Sequence, residues 1–216
     1  YGVAWSGTQF VAVGYTGTIL TSPDGINWTS RTSGTTNILY GVTWSGTQFV
    51  AVGYTGTIVT SPDGITWTSR TSGTTNILYG VAWSGTQFVA VGYTGTILTS
   101  PDGITWTSRT SGTTEILYGV TWSGTQFVAV GTGGTIVTST DGINWTKRTS
   151  GTTNTLYGVA WSGTQFVAVG ASGTIVTSPD GITWTSRTSG TTNILIGITW
   201  SGTQFVAVGT GGTIVT

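Results

Sequence analysis

One segment of the chain is repeated at a constant interval with very few changes. The stretch of 39 residues that begins at Tyr1 begins again at Tyr40, Tyr79, Tyr118 and Tyr157, and a shorter sixth copy occupies residues 196–216. A period of this length is typical of repeat architectures, in which each copy forms one supersecondary unit and buries its apolar residues against neighbouring copies. The repeat therefore constrains the fold strongly and constrains the chemistry of the protein very little.

Four short runs within each copy are predicted to be β-strands. In the first copy they lie at residues 2–5, 9–13, 18–21 and 26–31, and Gly accompanies Ser, Thr, Pro or Asp in the clusters between them. These residue types supply the backbone angles and local hydrogen bonds that tight turns need. No run has the 3.6-residue period of a helix, and the last run alternates apolar and polar residues as a half-exposed strand does.

Four-stranded units that recur about every 40 residues are the pattern of β-propeller blades. We expect an all-β fold in a single domain, with blades at residues 1–39, 40–78, 79–117, 118–156, 157–195 and, in part, 196–216. The last segment has 21 residues and stops before the outer strand of its blade. Five blades with an additional 21-residue segment are the alternative, while a β-solenoid fits less well because its coils are shorter.

The stretch Ser-Pro-Asp-Gly-Ile-Asn-Trp at residues 22–28 resembles the Asp-box of BNR or sialidase-like propellers, whose pattern is Ser-x-Asp-x-Gly-x-Thr-Trp. This chain has one residue fewer between Asp and Gly, and Thr140 replaces Pro in the fourth copy. The resemblance implies a structural hairpin between the third and fourth strands, away from the usual ligand site. The box carboxylates, which would accept backbone hydrogen bonds in these hairpins, belong to Asp24, Asp63, Asp102, Asp141 and Asp180.

The groups that a sialidase uses are not brought together by this repeat. Such an enzyme needs a cluster of three arginines, a tyrosine beside a glutamate, and an acidic aspartate. Here each full copy has one arginine, on the outermost strand, and Glu115 is the only glutamate. The chain also lacks Cys and His, which excludes thiol nucleophiles, disulfides, Cys/His metal sites and a His general base. We expect a protein that is not an enzyme, with no metal site and no cofactor.

Charged residues make up only 6% of the chain, and six basic and six acidic side chains give a net charge of zero. Binders of nucleic acid or anionic membranes need a basic surface, so neither partner is expected. The absence of Met indicates processing or a longer parent chain. Abundant Thr, Ser and Gly with few charges and no Cys favour an extracellular or cell-surface location.

The copies differ mainly in loops that open on the face where propellers usually bind ligands. Turns after the second strand carry Tyr in the first three copies, and loops before the first strand carry Asn or Glu. Aromatic faces beside amide and carboxylate groups suit sugars, and repetition provides avidity. Neutral variation in loops is the alternative explanation. The candidate ligand-binding residues are Tyr15, Tyr54, Tyr93, Asn37, Asn76 and Glu115.

The sixth copy ends in a strand that has no following strand to pair with. This edge consists of Thr213, Ile214, Val215 and Thr216, and it has no Lys or Pro to prevent pairing with another chain. We expect a homo-oligomer or filament, or a longer parent chain that supplies the strand. The preferred hypothesis is a non-enzymatic, exported structural or self-assembling module, and a multivalent lectin-like propeller that binds carbohydrate is the alternative.

Neighbouring blades cover both faces of a propeller sheet, so apolar residues that point to either face should be buried. Burial of Phe10 and of its equivalents in later copies is the critical test of this expectation. In the first copy, the residues expected to be buried are Val3, Trp5, Phe10, Val11, Ala12, Val13 and Ile19.

Overall fold

The computed structural model describes residues 1–216, and its regular structure consists of β-strands and short 3-10 turns. Six antiparallel sheets follow one another along the chain, five with four strands and the last with three. Within each sheet the strands are hydrogen-bonded in chain order. The six-bladed β-propeller fold is thereby confirmed over the five-bladed alternative. None of the helical turns is long and apolar enough to cross a bilayer.

The first three sheets, blades 1 to 3, repeat one arrangement of strands. Blade 1 contains β1 (Gly2–Trp5), β2 (Phe10–Val13), β3 (Ile19–Ser22) and β4 (Thr29–Arg31). Blade 2 contains β5 (Leu39–Trp44), β6 (Phe49–Gly53), β7 (Ile58–Ser61) and β8 (Thr68–Arg70). Blade 3 contains β9 (Leu78–Trp83), β10 (Phe88–Gly92), β11 (Ile97–Ser100) and β12 (Thr107–Arg109).

Blades 4 to 6 follow the same plan, except that the last one stops after its third strand. Blade 4 contains β13 (Leu117–Trp122), β14 (Phe127–Gly131), β15 (Ile136–Ser139) and β16 (Thr146–Arg148). Blade 5 contains β17 (Leu156–Trp161), β18 (Phe166–Gly170), β19 (Ile175–Ser178) and β20 (Thr185–Arg187). Blade 6 contains β21 (Leu195–Trp200), β22 (Phe205–Gly209) and β23 (Ile214–Val215).

The chain divides into two compact units, Tyr1–Arg109 with blades 1 to 3 and Thr110–Thr216 with blades 4 to 6. We call them unit 1 and unit 2. The single domain expected from the repeat stays a prediction.

Within each unit, successive blades pack through the two faces of their sheets. In unit 1, Val11 and Val13 of blade 1 form one cluster with Phe49 and Ala51 of blade 2. Side chains alternate along a strand, so the next residues of blade 2 point to the opposite face of its sheet, and that face packs against blade 3. The critical phenylalanines of blades 2 to 5 are almost completely buried, namely Phe49, Phe88, Phe127 and Phe166.

Blade 1 departs from the predicted burial on one face. Val11, Val13 and Ile19 are buried as expected, and Phe10 and Ala12 are half-buried. The prediction is wrong for two residues, since Val3 is 62% exposed and Trp5 is 46% exposed. Register places Val3 beside Ala12 and Trp5 beside Phe10, so these four side chains share a face. The equivalent face of blade 2 is covered by blade 1, whereas this face of blade 1 is uncovered.

Blade 6 has the open edge that was predicted. β23 pairs with β22 through Val215 opposite Ala207 and Ile214 opposite Val208, and it forms the edge of the three-stranded sheet. The regular strand covers two of the four predicted edge residues, because Thr213 belongs to the preceding turn and Thr216 ends the chain.

Candidate binding surface

Tyrosines from two positions of the repeat form an aromatic surface in unit 1. One set lies at the start of the first strand of each blade, within one residue of its first position, and the other lies in the 3-10 turn after the second strand. The rings of Tyr1 and Tyr40 are 5.1 Å apart, and Tyr40 is also 5.1 Å from Tyr79. Tyr15 lies 5.6 Å from Tyr1. We call Tyr1, Tyr15, Tyr40, Tyr54, Tyr79 and Tyr93 the tyrosine surface.

The fold explains why these rings meet. The first strands β1, β5 and β9 lie beside one another, so a residue that occupies the same position in each copy approaches its counterparts in the next blades. Tilted and edge-on ring pairs at this separation attract one another. A row of unchanged tyrosines on the first strand therefore becomes a continuous aromatic row.

Two phenol groups of this surface have pKa values above the ordinary value for tyrosine. A side-chain hydrogen bond with Tyr15 and partial burial raise the pKa of Tyr1 above its ordinary value. Burial does the same to the pKa of Tyr40. Tyr15 is 62% exposed, and Tyr54 and Tyr93 are each 44% exposed. The surface thus presents accessible ring faces together with phenol hydroxyl groups.

The turns that carry the exposed tyrosines have a left-handed residue. Thr55, which follows Tyr54, has a φ of 51°, and Thr16 and Thr94 occupy the same region. This conformation is unfavourable for a β-branched side chain. In blades 4 and 6 the same position is Gly133 and Gly211, and neither turn carries a tyrosine.

The predicted asparagines anchor these turns. Asn37 Nδ2 donates to Thr55 Oγ1 and Thr57 Oγ1, both at 2.8 Å. Asn76 makes the equivalent bonds to the turn of blade 3, at 3.0 and 2.9 Å. Both amide hydrogens are therefore used inside the protein, and the contribution that remains for a ligand is the amide oxygen.

Glu115 lies in unit 2, where the turn tyrosines are absent. Its carboxylate accepts a hydrogen bond from the hydroxyl of Thr132, which stands where blades 1 to 3 have Tyr. Unit 2 retains the first-strand row, with Tyr118 and Tyr157 5.0 Å apart. The structure thus brings the three predicted turn tyrosines and the two asparagines together in unit 1 and places Glu115 in unit 2.

Polar grooves adjoin the turns of both units. In blade 1 the groove is lined by residues 16–18 and 30–37, which supply hydroxyl groups, the amide of Asn37 and the guanidinium of Arg31. The equivalent groove of blade 2 includes Arg70 and Asn76. Arg31 Nε donates to Thr21 Oγ1 at 2.9 Å, which holds the side chain along its own sheet. These grooves offer hydrogen-bond donors and acceptors beside the tyrosine surface.

The first-strand tyrosines were missed by sequence reasoning, which selected positions that vary between copies. Tyr1 and Tyr40 recur almost without change, so they were not distinguished from structural residues. Two features together identify them. They lie at the start of the first strand, and the first strand is at one edge of its sheet. In a propeller that strand lies nearest the axis, where neighbouring copies approach most closely.

The box aspartates are engaged by their own turns. Asp24 Oδ1 accepts hydrogen bonds from the backbone N–H groups of Ile26 and Asn27, each at 2.8 Å, and from Ser22 Oγ at 3.0 Å. Trp28 Nε1 donates to the carbonyl of Gly25 at 3.1 Å. The backbone bonds lower the pKa of all five box carboxyls. No group of three acidic side chains suitable for a metal ion is present.

No protein-family model matches the chain, and no curated protein matches its sequence. Among solved structures, YCF48 bound to D1 peptide is similar with a TM-score of 0.75 and 18% identity, over 99% of this chain and 75% of that one. YCF48 from Cyanidioschyzon merolae has a TM-score of 0.75 and 20% identity, over 98% and 80%. The nidogen/laminin complex gives a TM-score of 0.71 and 12% identity, over 94% and 86%. These likenesses show the β-propeller fold and leave the Asp-box family unconfirmed.

Proposed function

We propose that the chain is a non-enzymatic, exported β-propeller module that self-assembles through blade 6. The observation that carries this proposal is the open edge at β23, which stands where the other five blades pair their third strand with a fourth. Two of the similar structures are complexes, YCF48 with the D1 peptide and nidogen with laminin, which supports a protein as the partner.

The repeat itself indicates what would fill the open edge. In blade 1, β3 pairs with β4 through Ile19 opposite Arg31, Leu20 opposite Ser30, and Thr21 opposite Thr29. A strand with the sequence Thr-Ser-Arg from another chain would extend blade 6 in the same register. The edge carries no charged side chain that would oppose its approach.

The distribution of the arginines supports a role without catalysis. Each arginine belongs to the outer strand of a different blade and bonds a threonine of its own sheet, as Arg109 Nε does to Thr99 Oγ1 at 2.9 Å. Such side chains are held apart and do not converge on one substrate. Export is supported by the low charge and the absence of Cys.

A synthetic peptide with the sequence of residues 22–33, which contains the outer strand, tests the proposal. We expect sedimentation velocity to show multimers that dissociate when the peptide is added in excess, while a scrambled peptide has no effect. A monomer at every concentration, or multimers indifferent to the peptide, would contradict assembly through the β23 edge.

A lectin-like module is the second candidate, and the tyrosine surface favours it. Exposed rings beside amide and hydroxyl groups provide the stacking and hydrogen bonds that sugars need, and three copies provide avidity. On a glycan array we expect reproducible binding that Tyr54→Ala removes and Tyr54→Phe retains in part. Ile104→Ala, at an exposed residue of a box turn, is the matched control. An array without signals would exclude this candidate.

A further inference from the structure

The two terminal blades each have one uncovered sheet face, and both faces are copies of surfaces that are buried elsewhere in the chain. We call the face of each blade that packs on the following blade its forward face. We call the face that packs on the preceding blade its rear face. Blade 6 has an exposed forward face and blade 1 has an exposed rear face.

The forward face of blade 6 has the apolar composition of a blade interface. It carries Val206, Val208 and Ile214, of which Val208 is 47% exposed and Ile214 is 68% exposed. The equivalent residues of blade 1 are 0%, 3% and 0% exposed, because blade 2 covers them. The equivalent residues in blades 2 and 4 join the cores of their interfaces in the same way.

The rear face of blade 1 is the surface that normally receives such a forward face. It carries Val3 and Trp5, together with Phe10 and Trp28. In blade 2 the equivalent Val42 is 9% exposed and Phe49 is 0% exposed, whereas Val3 is 62% exposed in blade 1. The side chain of Trp28 is 40% exposed, compared with 9% for the equivalent Trp184 in blade 5.

A polar contact accompanies the apolar interfaces between blades 1 and 2, 2 and 3, and 4 and 5. The equivalent glutamine of blade 6 has no following blade to bond. Gln9 Nε2 donates to the Asp63 carbonyl at 2.7 Å, from blade 1 to blade 2, and Gln126 donates to the Asp180 carbonyl at 2.6 Å. The equivalent Gln204 is exposed. The rear face of blade 1 offers the matching acceptor, which is the carbonyl group of Asp24.

We propose that the forward face of blade 6 binds the rear face of blade 1 in a second copy of the chain. The interface would reproduce the packing that the chain already uses between blades 1 and 2 and between blades 4 and 5. This inference rests on the proposed self-assembly, names a second copy as the partner, and places the contact on the sheet faces instead of the β23 edge. The low charge of the chain provides little electrostatic repulsion between copies.

The proposed contact joins two different surfaces, so it is heterologous. Each copy that binds leaves one forward face and one rear face available for further copies, and the product is a closed ring or an open filament. A substitution on either face should therefore stop growth, and two variants altered on opposite faces should still bind one another once.

Val3→Asp alters the rear face of blade 1, and Val208→Asp alters the forward face of blade 6. Both residues are exposed in the single chain, so the folded state should tolerate the change, and thermal unfolding at low concentration verifies this. Val208→Thr is a milder, nearly isosteric variant of the same face. Ile143→Asp is the matched control, because Ile143 is also 47% exposed but lies in a box turn.

We expect the original chain and the Ile143→Asp variant to form multimers in sedimentation velocity, while each face variant alone is monomeric. An equimolar mixture of Val3→Asp and Val208→Asp should form a heterodimer of twice the 22.3 kDa chain mass and no larger species. Face variants that assemble like the original chain, or a mixture that stays monomeric, would overturn the inference. Dissociation by the outer-strand peptide with no effect of the face variants would support the edge alone. Loss of multimers in the face variants, with no effect of the outer-strand peptide, would support assembly through the faces alone.

Discussion

The side-chain amide of Gln9 donates a 2.7 Å hydrogen bond to the backbone carbonyl of Asp63, 54 residues further along the chain. Gln48 makes the same contact with the Asp102 carbonyl at 2.6 Å. Each bond joins the turn after the first strand of one blade to the box turn of the next. Because the box turn is rigidified by its own carboxylate, the carbonyl is held where the incoming amide can reach it.

Replacing Gln48 by Leu should lower the free energy of unfolding by about 0.5–1.5 kcal/mol, the typical net value of one hydrogen bond. Gln204→Leu is a control supplied by the repeat, since Gln204 is the equivalent residue of blade 6 and is exposed. Urea denaturation at low protein concentration should show a shift for Gln48→Leu and almost none for Gln204→Leu. Equal shifts would contradict a specific role of the contact between blades.

The box carboxylate should stabilise its turn through acceptance of backbone hydrogen bonds. Asp102 Oδ1 accepts from the N–H groups of Ile104 and Thr105, at 2.8 and 2.9 Å. Asp102→Ala should therefore cost about 1–2 kcal/mol of unfolding free energy. Asp102→Asn, which keeps an acceptor oxygen, should cost less. Unchanged stability of the alanine variant, together with loss of ligand binding, would instead indicate a functional carboxylate.

Stability should fall at both extremes of pH and be nearly constant between them. The box carboxyls have pKa values below their ordinary value, so their contribution is present above the unfolded pKa of about 4 and is lost as the pH falls further. Tyr1, Tyr40 and Tyr118 have raised pKa values, so their contribution is present below about pH 10 and is lost above it. The carboxyls are exposed, so each effect is small.

Chemical denaturation measured as a function of pH tests this profile. The chain has no His or Cys, so no side chain with an ordinary pKa near neutrality contributes. A transition in stability between about pH 5 and pH 7 would contradict the assignment.

The sequence predicted the four strands of a copy because each strand and its turns are encoded within that copy. The fourth strand is shorter than the predicted 26–31 and covers Thr29–Arg31, because residues 26–28 belong to the box turn. Turn residues such as Gly25 and the alternation of apolar and polar residues along 26–31 are local signals, and with the 39-residue period they led to six blades and to the box hairpins. The exposure of Val3 could not be derived from the repeat, since it depends on whether another blade covers that face. The use of Asn37 as an anchor also escaped prediction, because its partners Thr55 and Thr57 become neighbours only after the blade has folded.

The last prediction concerns the left-handed Thr55. A β-branched residue in this region is strained, and glycine removes the strain because it has no Cβ. Thr55→Gly loses the hydroxyl that receives the 2.8 Å bond from Asn37, but Asn37 keeps its second bond, to Thr57. Thr55→Ala loses the same hydroxyl and keeps most of the strain. We therefore expect the glycine variant to be about 1 kcal/mol more stable than the alanine variant.

Thermal unfolding of both variants provides the measurement, and the chain supplies a precedent in Gly133, which occupies the same position in blade 4 with a φ of 61°. Equal stabilities would mean that the backbone of this turn is not strained. If glycine is preferred, threonine persists at a cost in the three turns that carry tyrosine. Ser172 of blade 5 is also left-handed and its turn has no tyrosine, so the hypothesis that the Thr55 hydroxyl, held by Asn37, orients Tyr54 for a ligand needs its own measurement. Thr55→Gly should then weaken any binding at the tyrosine surface while it raises the melting temperature relative to Thr55→Ala.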